Sequence, residues 1–259
     1  MTEQVAAQAN AIERALSTGV SPERAAASKS YLKIDMEFTG ASVPQARAAV
    51  IGWRRAQVEL TRSHLVAVAE HLWQRPVFEC RMAAVIMLSD RRRLLEAGDI
   101  DLVERMLRES GTWALVDGLA ADVAGELVAR FPELSRTLDR WACDANFWMR
   151  RSALLALLVP LRRGDPAPFT QFSGYADQML AEKEFFIRKA IGWVLRETAK
   201  KHPDLVLEWL APRLDRASGV TMREAVRHVP ASDAHRLMTA YRDQRAARLA
   251  PGQPYPNAG

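Results

Sequence analysis

An arginine recurs along this chain at a nearly constant interval, each time two residues before an alanine and at the start of an apolar helical stretch. The element reads Arg47-Ala48-Ala49, Arg81-Met82-Ala83, Arg151-Ser152-Ala153, Arg188-Lys189-Ala190 and Arg223-Glu224-Ala225. Its spacings are 34, 70, 37 and 35 residues, so the long gap spans two periods. Near the middle of that gap stands Asp117, 36 residues after Arg81 and 34 before Arg151. One repeat thus carries a carboxylate where its neighbours carry a guanidinium. A period of this length is the mark of stacked helical repeats, in which each unit buries its apolar face only against its neighbours.

The punctuation agrees with that period. Apolar residues recur at helical spacing almost throughout, and alternating β-branched runs are absent. Breaks fall at Ser21-Pro22, Val43-Pro44, Arg75-Pro76, Gly98, Gly111, Phe131-Pro132, Pro160 to Pro168, His202-Pro203, Gly219 and Pro230. Proline near a helix start and glycine near a helix end are the expected stops. The expectation is an all-α fold, a right-handed superhelical solenoid of HEAT-like repeats with a concave basic face. It forms a single domain over residues 1–248. The closing PGQPYPNAG, with three prolines and no core pattern, is read as a disordered tail over 249–259.

Stacked repeats place equivalent residues in a row on one face. The row predicted here is Arg47, Arg81, Arg151, Arg188 with Lys189, and Arg223, interrupted by Asp117. Arginines so spaced could hold the phosphates of a duplex, and a carboxylate among them suits an approaching cation. The net charge of +5 permits a polyanionic partner without requiring one. Trp113 lies four residues before Asp117 and shares its helical face, and an aromatic beside a carboxylate also suits a cationic ligand. Both features have an ordinary structural reading. Arginines at such positions also tie helices together, and Trp113 and Asp117 read more readily from spacing alone as a packing residue and a solvated one.

Other chemistries find little support. Cys80 and Cys143 each sit in an apolar helical pattern and read as small core residues, which argues against a disulfide framework. The five histidines form no ligand-spaced pair, so no metal site is expected. Glycine-rich phosphate loops are missing, no cofactor is implied, and no apolar run reaches the ~20 residues a membrane span needs. The amphipathic N-terminus is too polar for a signal peptide, and a cytoplasmic, nucleoid-associated protein is expected.

Several segments carry a resemblance. EKEFFIRKAIGWVLRETAKKHPDLVLEWL (182–210) is similar to the matching region of the AlkD-type DNA glycosylases, a family of HEAT-like repeat proteins. TWALVD (112–117) resembles that family's tryptophan-to-aspartate motif. CDANFWMRRSALL (143–155) resembles the segment bearing its arginine, and YLKIDMEFTGASVPQAR (31–47) resembles its N-terminal segment. The matches are scattered over residues 31–227. By this resemblance Asp117 is the catalytic aspartate, Trp113 and Trp193 line the lesion site, Arg151 faces the DNA backbone beside them, and Tyr31 approaches the lesion. All five are present. Ala114-Leu115 depart from the family by being apolar, and the tail beyond 248 has no family counterpart.

The resemblance implies a monofunctional glycosylase that hydrolyses the N-glycosidic bond of positively charged N3- or N7-alkylated purines in double-stranded DNA, leaving the base stacked. Asp117 would stabilise the cationic sugar and position a water. A monomer without metal suffices. Two other functions fit a chain of this kind: a non-catalytic repeat protein that binds damaged or branched DNA, and a protein-interaction scaffold.

Overall fold

The computed structural model describes residues 2–249, and the predicted tail from 250 onward lies outside the described residues. The described chain is helical throughout, with one isolated parallel β-bridge between Glu37 and Val77. It gathers into two compact units, one over residues 1–156 and one from 157 on.

The first unit contains α1 (Thr2–Leu16), α2 (Pro22–Leu32), α3 (Val43–Arg55), α4 (Arg62–Trp73), α5 (Phe78–Asp90), α6 (Ile100–Glu109), α7 (Trp113–Asp117), α8 (Gly125–Arg130), α9 (Ser135–Ala142) and α10 (Phe147–Leu155). A π-helical stretch, Gly118–Ala124, joins α7 to α8. The second unit contains α11 (Leu158–Arg163), α12 (Pro168–Met179), α13 (Phe185–Ala199), α14 (Pro203–Leu210), α15 (Gly219–Ala225) and α16 (Ala231–Leu249). The helices that carry the repeat element start at Val43, Phe78, Trp113, Phe147, Phe185 and Gly219, 34–38 residues apart, so the period read from the sequence is the structural period. Within the first unit α3 packs on α5, α5 on α7 and the π stretch, and these on α10, while α4, α6 and α9 flank them.

Helix ends follow local chemistry. Ser21, Ser42, Thr61 and Ser218 cap α2, α3, α4 and α15 by accepting from the backbone N–H of Arg24, Gln45, His64 and Thr221. Pro22 and Pro44 occupy the first turns that lack partners for their N–H groups. Gly111 turns the chain at φ 63° between α6 and α7, in the left-handed region that favours glycine. Pro160 departs from expectation. It lies buried inside α11, while the break expected between Pro160 and Pro168 falls within that span at Gly164, φ 91°. A proline in the first turn of a helix displaces no internal hydrogen bond, so the helix tolerates it.

Successive repeats are joined by polar contacts between residues about one period apart. Arg62 grips Asp99, Trp73 donates to Glu109, Arg108 reaches Asp144, Arg162 reaches Glu197 and Arg213 grips Asp177. Cys80 is buried as expected, and burial pushes its thiol up to about 12. Cys143 is not a core residue: it sits exposed just past the end of α9.

Candidate functional site

Residues 112–118 are arranged by a short sequence of local rules. Buried Thr112 caps α7 by accepting from the Ala114 N–H. The next turn sends Leu115 and Val116 into the core, which leaves Trp113 and Asp117, four apart, half-buried on the remaining face. The apolar Leu115 is therefore a core position, and its departure from the family pattern does not alter the exposed face. Gly118 then brings the chain against α5. A Cβ there would lie 2.6 Å from Val85 Cγ1.

Asp117 has a partner that the sequence reading did not give it. Arg151 of α10 donates Nε to Oδ1 and Nη2 to Oδ2, both at 2.8 Å, a two-pronged pair. The Arg151 side chain is 3% exposed and that of Asp117 is 21% exposed. This corrects the expectation that Arg151 faces the DNA backbone: the guanidinium lies under the surface and holds the carboxylate. The reason is geometric. Equivalent residues of adjacent repeats are spatial neighbours, so an aspartate in a row of arginines meets the next arginine.

Tyr31, in the last turn of α2, is 72% exposed and meets Trp113 edge-to-face, ring centres 6.3 Å apart at 88°. Its helix buries no side chain of its own. The segment after it is held from below, where Thr39 and Gly40 donate their N–H groups to the buried Glu79 carboxylate at 2.9 and 2.8 Å. Arg24 of α2 donates to the Gly40 carbonyl at 2.7 Å. Tyr31, Trp113, Asp117 and Arg151 are thus brought together in the first unit.

Trp193 belongs to the second unit, half-buried on α13. One face of its ring carries the Arg162 guanidinium, 5.6 Å from the ring centre, and Arg162 is itself held by Glu197 at 3.2 Å. Burial pushes the Glu197 carboxyl up, but Lys200 and Arg162 hold it below the usual range overall. Beside Trp193, Gly192 lets α13 approach α15 so closely that a Cβ would fall 2.7 Å from Glu224 Cβ. Neither Arg162 nor Glu197 was singled out from the sequence. Their signal was available, since opposite charges stand one period apart at 162 and 197.

The remaining predicted cations divide. Arg81 lies over Trp73, donates to the Trp73 carbonyl at 3.1 Å and to the Glu109 carbonyl at 2.9 Å, and burial holds its guanidinium below the ordinary value. Arg188 donates to the Glu182 carbonyl at 2.7 Å, and Lys189 reaches Glu224 at 2.6 Å. These three tie the fold together. Arg47 and Arg223 are exposed on α3 and α15. Of the predicted row, they are the cations whose side chains have no hydrogen bond or ion pair among the described residues.

Comparison with known proteins places the chain. The model of the family described as DNA alkylation repair enzyme matches residues 12–229, and the chain belongs to that family. No curated protein matches it. Among solved structures it is similar to a predicted DNA alkylation repair enzyme from Enterococcus faecalis, with 22% identity and a TM-score of 0.71 over 82% of this chain and 97% of that one. It is also similar to AlkD2 from Streptococcus mutans, with 16% identity and a TM-score of 0.55 over 81% of this chain and 99% of that one. At these identities the two structures speak for the fold. No helix among the described residues is long and apolar enough to cross a membrane, and no group of three metal-ligating side chains is placed to hold an ion among them.

Proposed function

We propose that the protein is a monofunctional DNA glycosylase that hydrolyses the N-glycosidic bond of cationic N3- or N7-alkylated purines in duplex DNA. The observation that carries this reading is the Asp117 carboxylate, fixed by a buried guanidinium yet still in contact with solvent. A carboxylate has about four lone-pair directions, and Arg151 uses two, leaving one on each oxygen. Those can face a developing oxocarbenium sugar and accept from the water that attacks it. A fixed charge needs no reorganisation as the bond breaks, which is what electrostatic stabilisation of a transition state requires. Trp113 adds a π surface next to the carboxylate for a cationic base or sugar.

Arg151 then acts as a positioning residue, and the exposed Arg47 and Arg223 are the stronger candidates for phosphate contacts. Trp193 supplies a second aromatic in the other unit, with one face already occupied by Arg162. The half-exposed setting of Trp113 and Asp117 supports excision with the lesion left in the stack, and with it a tolerance of bulky adducts.

The experiment is release of free base from duplexes containing 7-methylguanine or a bulky cationic N3-alkyladenine, with Asp117→Asn as control. Release that vanishes in the variant supports the assignment. Tight binding with no release from either duplex points to a non-catalytic DNA-binding protein, a reading favoured by the neutralisation of Asp117 by Arg151.

A further inference from the structure

The run Asp90-Arg91-Arg92-Arg93-Leu94 begins at the last residue of α5, and no function described so far uses it. A cleft of about 340 Å³ opens there, lined by Arg54, Leu60, Asp90, Arg91, Arg92, Arg93 and Leu94. A smaller neighbouring cleft shares Arg54, Asp90 and Arg91 with it and adds Arg55. Four arginines and one aspartate thus line the larger cleft. Its Asp90 lies ~7.5 Å along α5 from Val85, against which Gly118 packs, at 1.5 Å per residue.

Part of this basic group has a structural duty. Helix C-terminal ends favour cations. Arg92 donates to the Ser89 carbonyl at 2.7 Å and stands 3.5 Å from Glu126, and Arg130 donates to the carbonyls of Arg93 and Leu95. That duty does not extend to the other arginines. Arg91 and Arg93 are exposed, and their guanidiniums have no partner among the described residues. Arg54 donates Nη1 to the Gln57 carbonyl at 3.3 Å, but its Nε is buried with no acceptor among the described residues. Arg54 carries five N–H donors, of which the fold uses one, so its Nη groups can serve an anion in the cleft that it lines.

We propose that this cleft is a phosphate site, with Arg54 as its fixed floor and Arg91 and Arg93 as the arms that close on the oxyanion. Guanidinium donors match phosphate oxygens in pairs. The phosphate belongs either to the backbone of bound DNA or to a small free phosphate compound. The site stands on its own geometry, and its DNA arm alone rests on the reading of the protein as a DNA enzyme.

The test compares the full chain with the double variant Arg91→Ala/Arg93→Ala, chosen because neither side chain is used inside the fold. Calorimetry with inorganic pyrophosphate reads the site directly. Binding of an undamaged duplex across a salt series reads the DNA source. Loss of two phosphate contacts lowers the slope of log K against log salt by up to ~1.8, at ~0.9 per contact. A slope that falls assigns the phosphate to DNA. Pyrophosphate binding that weakens at least tenfold with an unchanged duplex slope assigns it to a free compound. No pyrophosphate binding by the wild type together with an unchanged slope overturns the site. Should the wild type hold no duplex at all, the DNA reading fails by itself, and the pyrophosphate measurement alone decides the cleft.

Discussion

The pair Asp117–Arg151 and the pair Glu224–Lys189 join helices of successive repeats in the same way, across 34 and 35 residues, yet they are built inside out from one another. In the second unit the carboxylate is buried and the cation is outside, with Glu224 5% and Lys189 42% exposed. Arg196 and Arg227 also converge on Glu224, so its charge is fully answered. In the first unit the guanidinium is buried and the carboxylate is partly outside. Glu224 is arranged to bind helices. Asp117 is arranged to bind helices and still present a negative oxygen to whatever approaches.

The sharpest break of this comparison is Asp117→Asn, which keeps shape and removes charge. Base release is expected to fall by about 10²–10³, the usual effect of one electrostatic group, while duplex affinity holds. Equal loss of binding and release would make Asp117 a structural residue like Glu224.

Arg151→Ala comes next. It takes away a buried partner from a carboxylate that water can still reach, so about 2–3 kcal/mol of stability is expected to go, read by thermal unfolding. Base release should fall with it, and the salt slope of duplex binding should not change, because a buried guanidinium touches no phosphate. A shallower slope would restore Arg151 to the surface.

Glu224→Gln tests the opposite pole, and the expected cost is about 1–3 kcal/mol. Burial raises the Glu224 carboxyl, but Lys189, Arg196 and Arg227 hold it below its ordinary value overall. A depressed carboxyl stabilises the fold above its unfolded value, ~4.3, and that contribution is lost as pH falls through the lower folded value. The wild type should therefore lose stability in acid below about pH 4, more steeply than Glu224→Gln does. Identical acid profiles would show that the cations do not act on this carboxyl.

The smallest change in stability is expected for Tyr31→Ala, within about 0.5 kcal/mol, because the side chain is exposed on a helix that buries nothing. A measurable fall in base release at unchanged melting temperature would tie Tyr31 to the site through Trp113. A fall in melting temperature would assign it to packing.

Sequence and fold divide the explanation unevenly. The period, the helix starts at Ser21-Pro22 and Val43-Pro44, and the turn at Gly111 were legible because capping and backbone freedom are local properties. The pairing of Trp113 with Asp117 was legible too, since four residues on a helix share a face by geometry. What the row of cations does was not. Arg47 and Arg151 occupy equivalent places in their repeats, yet one is exposed and the other is buried on Asp117. That difference depends on what the adjacent repeat offers, and so does the pairing of Arg81 with the Glu109 carbonyl and of Lys189 with Glu224. The amino-acid order determined by itself that this chain repeats, that it is helical, and which residues could meet a cation. Only the tertiary structure decided which charges answer one another and which remain for a ligand, because that depends on distances between helices a full period apart.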